Sequence, residues 1–214
     1  MKYDPQKHHR RSIRLKGYDY SPAGAYFVTI VTQYRLCLFG QLVNGEMQLN
    51  AAGQMVQSVW DEIPRFYPGV DIDACVVMPN HIHGIIVLVG AAPCGRPDSR
   101  GRPNPACNPD TGDRGQPVVG QAQGPAPTRT LSLADVVHRF KTMTTKRYAD
   151  GVKQSLWPPF HGRLWQRNYY EHIIRNEQSL NRIRQYILDN PARWAFDCAN
   201  PTATTPEPED AWAQ

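Results

Sequence analysis

Apolar residues recur at helical spacing in three places: Met55, Val59 and Ile63; Leu133, Val136, Val137, Phe140 and Met143; and Leu180, Ile183 and Ile187. Each series lays one apolar stripe along a helix, which predicts helices over residues 51–66, 131–148 and 177–190. Asn50 is a candidate N-cap for the first, and Pro191 stops the last. Runs rich in β-branched and aromatic residues predict strands at 26–32, 36–43, 46–49, 71–78, 81–89 and 170–174. Asn44-Gly45 suits a tight hairpin, and Pro79-Asn80 a tight connection. The order β, β-hairpin, α, β, β, α, β, α predicts an α+β sandwich: a mainly antiparallel sheet with helices on one face.

Composition divides the chain further. Residues 1–20 form a basic arm, with Lys2, Lys7, Arg10, Arg11, Arg14 and Lys16 against Asp4 and Asp19. Residues 21–198 carry the periodic elements and read as one domain. Its interruption at 90–130 holds 15 Gly or Pro among 41 residues and no aromatic anchor, the composition of a flexible insertion. Residues 199–214, rich in Pro, Thr and acid, are expected to be a disordered tail. The five cysteines are odd in number and never spaced CxxC, so neither a disulfide framework nor a zinc ribbon is indicated. No run is long enough to cross a bilayer and no apolar leader precedes the domain, so a cytoplasmic protein is expected. The net charge of +5 favours a polyanionic partner.

Two constellations bear chemistry. In Met78-Pro-Asn-His-Ile-His-Gly84, side chains two apart on a strand share a face, so His81 and His83 can hold one metal ion; the plain alternative is two sheet histidines. On the last helix Tyr186 and Asn190 stand at i and i+4 and can present a hydroxyl and an amide oxygen together. They serve equally as a core aromatic and a helix terminator.

These blocks occur in order with Arg11-Ser-Ile-Arg-Leu-Lys-Gly-Tyr-Asp-Tyr20, Phe140-Lys141, Trp165-Gln-Arg-Asn-Tyr-Tyr-Glu-His-Ile-Ile-Arg175 and Tyr186-Ile-Leu-Asp-Asn-Pro191. Together they resemble the IS200-like tyrosine transposases with an HUH histidine pair, most closely the REP-associated branch, over residues 10–194 apart from the insertion. The resemblance implies a ferredoxin-like fold with His81 and His83 on a central strand and Tyr186 as nucleophile. Asn190 matches the family's third metal ligand, and Tyr169 and Tyr170 are rival nucleophiles. It also implies a divalent ion, Mg²⁺ or Mn²⁺, and cleavage and rejoining of single-stranded or hairpin DNA through a 5′-phosphotyrosine.

For DNA contacts the candidates are Arg10, Arg11, Arg14 and Lys16 on the arm, Arg139, Lys141 and Lys146 on the second helix, and Arg167. A monomer is expected, with a homodimer as the alternative. Two other functions fit the same residues: a metal-dependent hydrolase using the HxH pair, and a DNA-binding module without catalysis.

Overall fold

The computed structural model describes residues 23–89 and 131–208; the basic arm, the insertion and the last six residues lie outside them. The elements are β1 (Gly24–Val31), β2 (Gly40–Val43), β3 (Glu46–Leu49), α1 (Ala51–Asp61), α2 (Ile63–Phe66), β4 (Val70–Val77), β5 (His81–Leu88), α3 (Leu133–Lys153), β6 (Tyr170–Ile174) and α4 (Glu177–Asp189). The main sheet has the order β4-β5-β1-β6, with every neighbouring pair antiparallel. Leaving aside the β2–β3 hairpin and α4, the chain runs βαββαβ, the ferredoxin-like split motif. β5, which carries the histidines, is one of its two central strands.

Local chemistry explains most boundaries. The Asn50 side chain caps α1 by accepting from the Gly53 N–H at 2.9 Å, and Ser132 and Asp135 form a reciprocal capping box on α3. Asn44 and Gly45, with φ of 54° and 80°, make the hairpin turn. The first long helix breaks at Glu62 because Pro64 has no N–H to continue the ladder, leaving α2 as a short second piece. Conversely α3 outruns its expected end, as Trp157 packs on Gly151 so closely that a Cβ there would lie 2.3 Å from the ring.

The two sheet faces are covered differently. Tyr26, Val28, Ile30, Ile82 and Ile86 face α1 and α3 in the larger core, with Trp60 and Phe140 edge to face at 5.5 Å. The opposite face carries Phe27 and Ile85 under Ile183 and Ile187 of α4. Helices therefore cover both faces, not one as expected: α4 follows the last strand, and its Ile183/Ile187 stripe closes the apolar patch that α1 and α3 leave bare.

Docking of α4 depends on an irregularity in β4. Register with β5 shifts between Ile72/Ile86 and Cys75/Gly84, so β4 holds one extra residue, a β-bulge. Asp73, in the bulge, accepts from Arg184 of α4 at Nε (2.9 Å) and Nη2 (2.6 Å). The tail expectation also changes for residues 199–208: the Glu207 N–H donates to Phe196 O at 2.7 Å, its carboxylate pairs with Arg193, and the Asn200 amide donates to Trp194 O at 2.9 Å. Backbone and side-chain hydrogen bonds hold this Pro- and Thr-rich stretch against the turn before it.

Gly84 allows Trp60 to rest on β5, since a Cβ at that position would lie 2.4 Å from the indole. Gly84→Ala is expected to lower stability by about 1–3 kcal/mol in a denaturant titration; an unaltered midpoint would contradict this packing. The Arg184 hydrogen bonds outweigh partial desolvation and hold the Asp73 carboxyl below its ordinary range. Its contribution is therefore present above the unfolded carboxyl pKa, near 4, and is lost as pH falls through the folded value. Asp73→Asn should flatten the acid side of the stability-versus-pH curve, and a curve of unchanged slope would contradict the pairing.

Candidate metal centre

The strand places the two imidazoles, and their neighbours orient them. His81 is fully buried and His83 is 4% exposed. Asn80, also fully buried, donates its side-chain amide to Arg35 O at 3.0 Å and Ala199 O at 2.8 Å. Those bonds identify the Asn80 nitrogen, so the atom facing His81 Nδ1 at 2.9 Å is the carbonyl oxygen. His81 Nδ1 must then carry the proton, leaving a lone pair on Nε2. His83 Nδ1 meets the Thr29 hydroxyl at 2.9 Å, which turns its Nε2 toward the same point. The two Nε2 atoms are 3.0 Å apart.

The third member is Asp197, whose Oδ2 lies 3.5 Å from His81 Nε2 and 3.9 Å from His83 Nε2. Burial alone would raise this carboxyl, but hydrogen bonding to His83 and to the Ala199 N–H holds it below its ordinary range. For His81, burial and the neighbouring imidazole outweigh Asp197 and push its pKa down to about 3. The group thus presents a neutral imidazole and a carboxylate to each other.

Asn190 Oδ1 and Asp197 Oδ2 are both buried without a hydrogen-bond partner among the described residues. One proton between the two Nε2 atoms can satisfy the His81 lone pair, which still leaves these two oxygens as buried acceptors, a costly arrangement unless positive charge is shared between them. With metal–nitrogen bonds of about 2.1 Å, nitrogens 3.0 Å apart subtend roughly a right angle at a common ion. His81, His83 and Asp197 can therefore hold a divalent cation. The carboxylate suits Mg²⁺ and Mn²⁺ alike, while two imidazoles favour a transition-metal ion over Mg²⁺, which keeps to oxygen.

Tyr186 adjoins this group. Half-buried on α4, its ring meets His83 edge to face at 5.3 Å and Phe27 at 6.1 Å. It lines a small pocket with Asn190, Arg193, Asp197 and Glu207. Burial foremost, then the negative charge of Asp197, raises the phenol above its ordinary pKa, with Arg193 opposing. Of the rival tyrosines, Tyr170 packs edge on to Phe27 at 6.2 Å on this same face. Tyr169 belongs to the opposite core, under the Lys141 ammonium at 5.2 Å.

Asp197 has no counterpart in the sequence expectation. It arrives through the 3-10 turn Pro191–Phe196, which also stacks Trp194 on His81 at 6.0 Å. The available signal was Asn190-Pro191: a helix stopped directly after Tyr186 sends the following residues back across the site. The expected DNA contacts also separate. Lys141 Nζ donates to the backbone carbonyls of Gln166 and Asn168 at 2.9 and 3.1 Å, a structural role. The Arg139 guanidinium lies over the Tyr67 ring at 4.7 Å. Lys146 and Arg167 are exposed, and Arg10, Arg11, Arg14 and Lys16 fall outside the described residues.

No family model matches the chain. An uncharacterized protein of Haemophilus influenzae is 40% identical over 200 residues, spanning 92% of this chain and 96% of that one. Among solved structures, a REP-associated tyrosine transposase bound to a REP hairpin aligns with a TM-score of 0.48 at 18% identity, covering 86% of this chain and 74% of that one. A Deinococcus radiodurans protein proposed to be a transposase aligns at 0.41 and 17%, covering 83% of this chain and 97% of that one. Among the described residues no helix is long and apolar enough to cross a membrane.

If Asn80 fixes the His81 tautomer, Asn80→Ala should weaken Mn²⁺ binding by about 10–100-fold, as read by calorimetric titration of the full chain. Unchanged affinity in the folded variant would contradict that role.

Proposed function

We propose that this chain, which belongs to the same family as the uncharacterized Haemophilus influenzae protein, is a tyrosine transposase that cleaves and rejoins single-stranded DNA. The observation that carries the reading is the approach of Tyr186 to His83 at 5.3 Å, beside an acceptor-rich cluster suited to a cation. The ordered motifs noted in the sequence support it, since the histidine pair and the tyrosine they single out meet here across 103 residues of chain.

In this reading Tyr186 is the nucleophile. Its oxygen attacks the scissile phosphorus in line, the new O–P bond forms, and the bond to the 3′ oxygen breaks. The phenolic proton passes to solvent, and the departing 3′ oxygen takes up a proton from solvent and ends as a 3′-hydroxyl. A second 3′-hydroxyl reverses the step, re-forming a phosphodiester and returning Tyr186 without an external energy source. His81, His83 and Asp197 would hold the divalent ion, with the Asn190 amide oxygen as a further ligand. When bound, that ion offsets the carboxylate charge that opposes phenol ionisation and polarises the phosphoryl group. Thr29 and Asn80 keep the imidazole lone pairs directed into the site. Packing of Ile183 and Ile187 on the sheet holds the phenol in position, which limits the motion needed for attack.

A second reading is favoured by the carboxylate: two histidines and an aspartate also form the ligand set of a metal-dependent hydrolase, in which water rather than Tyr186 attacks. Incubation with end-labelled, hairpin-bearing single-stranded DNA and Mn²⁺ separates the two. A denaturant-resistant protein–DNA adduct is expected, reduced at least about 100-fold in Tyr186→Phe and in His81→Ala, but retained in Tyr169→Phe and Tyr170→Phe. Cut DNA without an adduct would establish the hydrolase, and loss of the adduct in Tyr170→Phe alone would move the nucleophile to β6.

A further inference from the structure

A groove of about 740 Å³ lies between the outer side of α3 and the loop 162–167. Its cationic lining is Lys141, Lys146, Arg163 and Arg167, joined by His138 and the Thr145 hydroxyl, and none of its eleven lining residues is acidic. Arg163 and Arg167 are exposed, as is Lys146. Trp165 and Leu164 form the floor, but only 4% and 1% of their surfaces remain exposed, so no aromatic face is offered to a base. At Gly162 a Cβ would meet nothing within 4 Å, which leaves the mouth open.

Two features make this more than a solvated charge patch. Lys141 donates its ammonium to the carbonyls of residues 166 and 168, which ties the loop that carries Arg163 and Arg167 to α3. The loop is also stitched to the end of β1 that borders the histidines: the Gln166 N–H donates to Val31 O at 2.9 Å, and Val31 pairs with His81. The groove and the metal cluster therefore adjoin the same end of β1 and β5, from opposite faces of the sheet.

We infer that this groove is a binding site for the phosphodiester backbone of DNA, holding one flank of the strand whose phosphate reaches Tyr186. Cations without acidic neighbours or exposed aromatic rings read phosphates and not bases, so the site grips without regard to sequence. The choice of DNA as the polyanion rests on the strand-transfer reading; the groove itself does not.

The test uses the full chain and fluorescein-labelled single-stranded oligonucleotides of two unrelated sequences, with binding followed by anisotropy across a salt series. Replacing Lys146, Arg163 and Arg167 together by Gln should flatten the slope of log affinity against log salt by about 2, since each single-strand phosphate contact contributes about 0.7. Both sequences should lose affinity alike, and Lys at positions 163 and 167 should restore the slope. A charge-matched triple, with Arg65, Lys153 and Arg182 changed to Gln, should leave the slope close to its original value. Equal flattening in that control, an unchanged slope in the groove triple, or loss confined to one sequence would overturn the inference. The Tyr186 adduct is scored separately. A flattened slope without any adduct in the unaltered protein supports the groove and sinks strand transfer, whereas an adduct with an unchanged slope does the reverse.

Discussion

The chemistry of this protein turns on one constraint: two imidazole nitrogens 3.0 Å apart and a carboxylate oxygen 3.5 Å from one of them share a buried site with few protons among them. Such an arrangement is expensive in a low-dielectric interior unless a cation is shared. The surroundings make it harder to escape. Asn80 is locked by two carbonyls and so fixes the His81 proton on Nδ1, which prevents that ring from turning its N–H toward Asp197. The fold thus holds a cluster of lone pairs in place, as a metal centre requires.

The same Asn80 amide joins parts of the chain that are far apart in sequence. Its bond to Ala199 O crosses 119 residues and ties down the segment that delivers Asp197, while its bond to Arg35 O holds the turn after β1. A single side chain therefore couples the orientation of one ligand to the placement of another. On the opposite side of the cluster, α4 is fixed by Ile183 and Ile187 in the small core and by the Asp73–Arg184 pair. The position of Tyr186 is consequently set by contacts remote from the phosphate it is proposed to attack.

How much of this was legible in the sequence follows from the range of each cause. Helical stripes, the Asn50 cap, the Asn44-Gly45 turn and the alternation that aligns His81 with His83 are local, and each lies in its predicted element, apart from the break at Glu62 and the longer end of α3. The bulge in β4 is invisible because Asp71 and Asp73 alternate as they would on a regular strand, and the extra residue emerges only in pairing with β5. Asp197 is hidden for a related reason: it is carried by a turn with no hydrophobic period. Lys141 and Lys146 look alike in the sequence, five residues apart on one helix. One is bent into the carbonyls of a loop 25 to 27 residues away and the other faces solvent, a distinction that tertiary structure alone creates.

Residues 90–130, outside the described structure, are joined to it after β5 and before α3. β5 begins with His81 at the metal cluster and ends at Leu88, so at about 3.3 Å per residue the strand carries the chain roughly 23 Å away before the insertion begins. It rejoins at Ser132, whose capping box with Asp135 restarts α3 from local bonds alone. Neither attachment point bears a ligand. The histidines and the tyrosine are fixed by sheet register and helix packing, and the carboxylate by the turn that follows α4.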